Sequence, residues 1–76
     1  MPVQDRVDRA RLRKFGRRVR QLRREKELSQ EQLAHLAGLH RAEVGFVERA
    51  EREIGLLKVW RLADALDVEA GDLFSR

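Results

Sequence analysis

Few residues in this 76-residue chain are arranged to do covalent chemistry. His35 and His40 stand five apart with no third ligand suggested beside them, so no metal site is expected. Neither Ser29 nor Ser75 has a histidine and an acid at positions that would make it a nucleophile. The glycines form no phosphate-cradling loop, and the carboxylates read as helix-surface charges. No enzymatic activity, cofactor or small-molecule ligand is therefore expected. A different chemistry fits the stretch from Arg41 to Arg49. On a helix, at roughly 100° per residue, Arg41, Ala42, Gly45, Phe46 and Arg49 share one side. Arg41 can fork onto a guanine, Phe46 can meet a thymine methyl, and Gly45 lets the backbone approach base edges. Without such a partner, a Phe facing water and a mid-helix Gly costing about 1 kcal/mol have no reason to be there. A surface helix with one exposed aromatic, or a Phe covered by a protein partner, are the competing readings.

The elements that must position this face are short. Ser29 can cap a first helix, with Gln32 reaching back to complete a capping box. Leu33, Ala34, Leu36 and Ala37 give that helix an apolar face, and Ala34 is small where two helices must cross. Gly38 fits the left-handed position that ends it. After Leu39 and His40 a second helix opens at Arg41, with Val44, Val47 and Ala50 on its inner side, flanked by Glu43, Glu48 and Glu51. Helix, glycine turn, helix over residues 29–50 is a helix-turn-helix, whose second helix enters a DNA major groove.

Before it, a long helix is expected to begin between Asp5 and Asp8, after a loose terminus within residues 1–7. Leu12, Phe15, Val19 and Leu22 form its buried stripe, and Arg6, Arg9, Arg13, Arg17, Arg20 and Arg24 fill its wet sides. After it, Leu56, Val59, Leu62, Ala63 and Leu66 form the core stripe of a fourth helix capped by Gly55, with Leu57 and Trp60 at its edges and Trp60 read as core filler. A final short helix is expected around Ala70 to Phe74. The net charge of +4 hides an asymmetry: residues 1–26 carry 11 Arg or Lys against Asp5, Asp8 and Glu25, a net of +8, while residues 27–76 are net −4. One end is built to attract polyanions. Cysteine is absent, no apolar run approaches a membrane span, and the start lacks a signal-peptide segment, so a cytoplasmic protein, nucleoid-associated if it binds DNA, is expected.

The segments FGRRVRQLRREKELSQEQLAHLAGLHRAEVGFVERAER and LLKVWRLADALDV resemble the phage-repressor-like helix-turn-helix family of the Cro/CI, or xenobiotic-response-element, type, from about Phe15 to Phe74. SQEQLA, Gly38, the V-x-x-V-E-R run from Val44 and the L-A-x-A-L from Leu62 carry the likeness. The resemblance implies that Arg23 pairs with Glu48 and is oriented near a phosphate, and that Arg49 and Arg52 touch phosphates; Gln30 and Arg17 complete that expected set. Glu27 and Ala50 stand where the family usually has glycine. Glu27 would then carry some strain, and the helix ending near Ala50 is expected to run longer or turn less sharply. LHRAEVGFVERAER resembles the small restriction–modification controller proteins of this family; antitoxins and phage Cro-like repressors are equally short.

The sequence thus predicts one all-α domain over residues 1–76, a compact five-helix lambda-repressor-like fold. It predicts a homodimer that binds an inverted-repeat operator in double-stranded DNA and regulates transcription. Arg41, Ala42, Gly45 and Phe46 are the expected base-contacting residues. Leu57, Trp60, Val68, Leu73 and Phe74 exceed what a monomer must bury and are the expected dimer interface. A protein-interaction module using the Phe46 face, and RNA binding through the Arg-rich first helix, are the alternatives.

Overall fold

The structure, a computed structural model, describes residues 3–75. Its order is α1 (Val3–Glu25), α2 (Gln30–Ala37), α3 (Arg41–Glu48), α4 (Leu56–Ala65) and a 3-10 helix (Ala70–Phe74), with no strand among the described residues. The last element has the expected bounds but is one tight 3-10 turn, so four α-helices rather than five build the domain. Phe15, Val19 and Leu22 from α1 meet Leu33, Ala34 and Ala37 from α2, Val44 and Val47 from α3, Val59, Leu62, Ala63 and Leu66, and Leu73 in one core. Each fully buried Leu or Val there contributes roughly 1.5–3 kcal/mol.

α1 starts at Val3, ahead of the expected Asp5–Asp8 window; of the terminus expected to be loose, Met1 and Pro2 lie outside the described residues. The aspartates do not cap it. Asp5 lies in the first turn, where a negative charge suits the helix dipole. Asp8 accepts a hydrogen bond from Gln4 at 2.9 Å and faces Arg11 at 3.7 Å along the helix side.

Three apolar residues expected inside lie outside, and Leu12, expected in the buried stripe of α1, is only half-buried and takes no part in the core. Leu36 is 58% exposed, because it sits about 100° round α2 from the centre of the Leu33–Ala34–Ala37 stripe. Leu56 opens α4 about 70° off that helix's buried axis and is also exposed, and Trp60, on the same exposed side, is 48% exposed and fills no core space.

All four α-helices end the same way. In each, one residue takes a left-handed conformation, its N–H bonds back three residues, and the next N–H bonds back five, the pairing of a Schellman motif. The left-handed residues are Glu27 (φ 57°), Gly38 (φ 68°), Ala50 (φ 57°) and Asp67 (φ 57°). The long bonds run from Leu28 to Arg23 at 3.1 Å, Leu39 to Ala34 at 2.8 Å, Glu51 to Phe46 at 2.8 Å and Val68 to Ala63 at 3.0 Å. Ala50 therefore does not prolong α3: it stops the helix at Glu48 as sharply as Gly38 stops α2. Three of the four exits are made without glycine, against the steric preference of L-residues.

Candidate nucleic-acid interface

Ser29 and Gln32 fix the entry of α2 as a capping box. The Gln32 backbone N–H donates to Ser29 Oγ at 3.0 Å, and the Ser29 N–H donates to Gln32 Oε1 at 2.8 Å. Gly38 turns the chain, and α3 begins at Arg41 with the His40 N–H donating to Glu43 Oε1 at 3.0 Å. Val44 and Val47 pin the inner side of α3 in the core. Its outer side is left with Arg41 and Ala42, both exposed at the N-terminal end, where recognition helices meet base edges.

The pose of α3 is held from three sides. Arg23 of α1 forks onto Glu48, Nε to Oε2 at 2.7 Å and Nη2 to Oε1 at 3.0 Å, and its Nη1 donates to the Leu28 carbonyl at 2.7 Å. Gln30, at the start of α2, donates from Nε2 to Glu48 Oε1 at 3.1 Å. One carboxylate thus gathers the end of α1, the start of α2 and the end of α3. Its hydrogen bond raises the Arg23 guanidinium further above its ordinary value, against the opposing effect of burial. From the far side Lys58 of α4 pairs with Glu43, and that hydrogen bond, helped by the His40 N–H, lowers the Glu43 carboxyl below the usual range. Gly16 of α1 lies against the end of α3: a Cβ there would run into the Val47 carbonyl oxygen and stand 2.9 Å from that of Glu48.

Neither Gly16 nor the Glu43–Lys58 pair was among the residues singled out from sequence. Gly16 carried no local signal beyond an unfavourable helix propensity, and Lys58 is brought to Glu43 only by the tertiary path of α4.

The arginines expected at phosphates differ in their freedom. Arg17, Arg49 and Arg52 are exposed, whereas the Arg23 side chain is only 11% exposed and has three N–H donors engaged inside the protein. Arg49 faces Glu51 at 3.1 Å and lies across Gly45, where a Cβ would stand 2.8 Å from its Nη1. Gly45 is therefore buried under its own helix's arginine, and the open backbone expected there is closed in this conformation. Phe46 is half-buried with the Arg52 guanidinium 4.0 Å over its ring, so the cover on this aromatic comes from the chain itself.

Among the residues expected at a subunit contact, Leu57, Trp60 and Phe74 are exposed. Leu73 is not: it is fully buried in the core, and Val68 is half-buried against the same core. Phe74 is 59% exposed and tilts against Phe15 with ring centroids 5.1 Å apart. No helix among the described residues is long and apolar enough to cross a membrane, and no group of acidic or histidine residues among them could hold a metal ion.

Comparison with known proteins gives a consistent result. The family described as Helix-turn-helix matches residues 19–73. The control protein C.SmaI of Serratia marcescens is 47% identical over 58 residues, covering 76% of this chain and 69% of that protein. The control protein C.BamHI of Bacillus amyloliquefaciens is 40% identical over 60 residues, 78% of this chain and 74% of its own. The crystal structure of the restriction-modification controller protein C.AhdI from Aeromonas hydrophila superposes with a TM-score of 0.84 at 54% identity, covering 86% of this chain and 98% of that one.

Proposed function

We propose that this chain, which belongs to the helix-turn-helix family and is a sequence-specific DNA-binding regulator of transcription, serves as a restriction–modification controller protein. The family is a DNA-binding one and not a family of enzymes. The single observation that carries the narrower reading is the likeness to C.AhdI over nearly the whole of that protein's length. In this reading the protein works in the cytoplasm at the nucleoid, and its expected fold is the lambda-repressor-like one with the 3-10 turn as its fifth helix. α3 lies in the major groove with Arg41, Ala42 and Phe46 toward base edges, and Gly45 joins them when Arg49 swings to a phosphate. Gln30, Arg17, Arg49 and Arg52 meet the backbone, while Arg23 acts chiefly through Glu48.

A single module of this size buries roughly 600–1,000 Å² on DNA, so specificity calls for two copies on half-sites about 34 Å apart. The exposed side of α4, with Leu56, Leu57 and Trp60, together with Phe74, supplies apolar surface for a homodimer. The competing reading, a protein-binding face at Phe46, has less support because Arg52 already covers the ring.

The test is selection from random duplex, followed by sedimentation of the complex with and without Trp60→Asp. An inverted repeat bound by two copies is expected, with Trp60→Asp reducing assembly while each protomer stays folded. A chain that shows no preference among duplexes would overturn the operator reading. One that stays monomeric on the selected duplex would overturn the dimer.

A further inference from the structure

α1 carries more positive charge than the helix-turn-helix uses, and the charge is ordered. Arg6, Arg9, Arg13, Arg17, Arg20 and Arg24 recur at intervals of three and four, so on a helix they form one continuous stripe about 27 Å long. All six are exposed, and among the described residues none makes an ion pair or a side-chain hydrogen bond. Of the acidic groups of the helix, Asp8 is turned to Gln4 and Arg11 and Glu25 accepts from Gln21 at 3.2 Å, while Asp5, exposed one turn before Arg9, stands at the edge of the stripe. A solvated helix face ordinarily mixes its signs, and like charges three and four apart oppose the helix that carries them. Six arginines with Asp5 alone at their edge make this stripe a cost to the isolated fold with little internal compensation.

Its place on α1 points to its partner. One edge of the helix is fixed on α3, through Gly16 against the Val47 and Glu48 carbonyls and Arg23 on Glu48. The other edge is fixed on the 3-10 helix, through Phe15 on Phe74 and Arg18 Nε donating to the Asp72 carbonyl at 2.8 Å. Going round the helix from Gly16 away from the core, the next residues are Arg9, Arg20 and Arg13, roughly 20–60° on. The stripe thus adjoins the α3 edge. Arg9 also lines the cleft, of about 830 Å³, that the first turns of α1 share with the loop leaving α3. Arg52 lines it too, but so do Asp5, Asp8, Glu51 and Glu53, so the cleft itself is of mixed charge and the stripe's basic surface lies beside it. Arg6, Arg9 and Arg13 all precede residues 19–73, the part matched by the family.

We infer that the N-terminal half of α1 is a second DNA-binding surface, lying along the phosphates that flank the half-site read by α3. The inference rests on the DNA-binding reading above. The stripe reads no bases; it neutralises phosphates and so adds to affinity and to its salt dependence, but not to sequence preference.

Two matched double variants of the full chain test it. Arg9→Gln with Arg13→Gln removes two charges from the stripe; Arg11→Gln with Lys14→Gln removes two from the other side of the same helix. Each neutralised phosphate contributes about 0.9 to the slope of log affinity against log salt. The stripe variant should lose nearly 2 from that slope per bound protomer, keep its ranking of operator variants, and protect a shorter length of flanking backbone. The control variant should keep the wild-type slope. Arg9→Lys with Arg13→Lys should restore most of the lost slope, which separates charge from any disturbance of the helix. A stripe variant with the wild-type slope, or equal losses in both double variants, would overturn the proposal, as would loss confined to single-stranded RNA. If the wild type shows no preference for any duplex, the operator reading fails by itself, and the same two slopes measured on random duplex still decide the stripe.

Discussion

Arg23 and Glu48 form a two-pronged ion pair at 2.7 and 3.0 Å, with side chains only 11% and 3% exposed, joining the first helix to the third. Removing one partner of such a pair leaves the other charge buried, at a cost of about 3–5 kcal/mol. A domain of this size has on the order of 5–15 kcal/mol of stability at most. Glu48→Ala should therefore lower the melting temperature sharply and weaken DNA binding with it. An unchanged melting temperature would show that the pair does not hold the fold.

The left-handed exits at Ala50, Asp67 and Glu27 suggest the opposite kind of change. An L-residue there costs roughly 1–2 kcal/mol, and glycine returns part of the gain through the entropy of the unfolded chain. Ala50→Gly, Asp67→Gly and Glu27→Gly should each stabilise the protein by about 0.5–1 kcal/mol. Calorimetry should show this as a rise of a few degrees per substitution. A fall in melting temperature on Ala50→Gly would mean that α3 does not end at Glu48.

Arg41, exposed in the first turn of α3, is the residue best placed to choose a base. Arg41→Ala should cost about 1–3 kcal/mol of operator binding per half-site and relax preference at one base pair. Binding to a panel of single-base operator variants will show it. A uniform loss across the panel would make Arg41 a phosphate contact instead.

The Glu43 carboxyl is held below its ordinary range, chiefly by the hydrogen bond from Lys58 and then by the His40 N–H. Its pKa is lower folded than unfolded, so the stabilisation is complete above the usual carboxylate range and is lost as the pH falls through the depressed folded value. Both side chains are about a third or more exposed, which limits the pair to roughly 0.2–1 kcal/mol. Lys58→Ala should lower stability slightly at neutral pH and narrow its difference from wild type in acid. Parallel stability curves across that range would remove Glu43 from the account.

What could be read from sequence was what is local or carried by resemblance. The Ser29–Gln32 box, Gly38, and most of the core stripes of α1 and α3 (Phe15, Val19, Leu22, Val44 and Val47, though not Leu12 or Ala50) follow from neighbouring residues, and the Arg23–Glu48 pair came with the family likeness. Ala50 was misread because alanine is the best helix former, and nothing nearby announces that the next turn bends left-handed. Gly16 was passed over because its value lies in two carbonyls about thirty residues away. Leu73 was assigned to an interface although it is core, since a short apolar end looks the same whether it folds back or waits for a second copy. Gly45 and Phe46 lie round α3 from its Val44 and Val47 core side, but their covering by Arg49 and Arg52 depends on rotamers that no spacing encodes.

The anchoring of α1 is uneven along its length. Its 23 residues span about 34 Å of a molecule 37 Å long, yet among its described side chains the buried ones run only from Phe15 to Leu22. Phe15 and Gly16 mark where that support begins. Amide protons from Phe15 to Leu22 can exchange with solvent only when the whole domain opens, whereas those nearer the start are released by fraying of a few turns. A single unbroken helix will then carry two exchange regimes, and DNA bound along its outer half would draw them together.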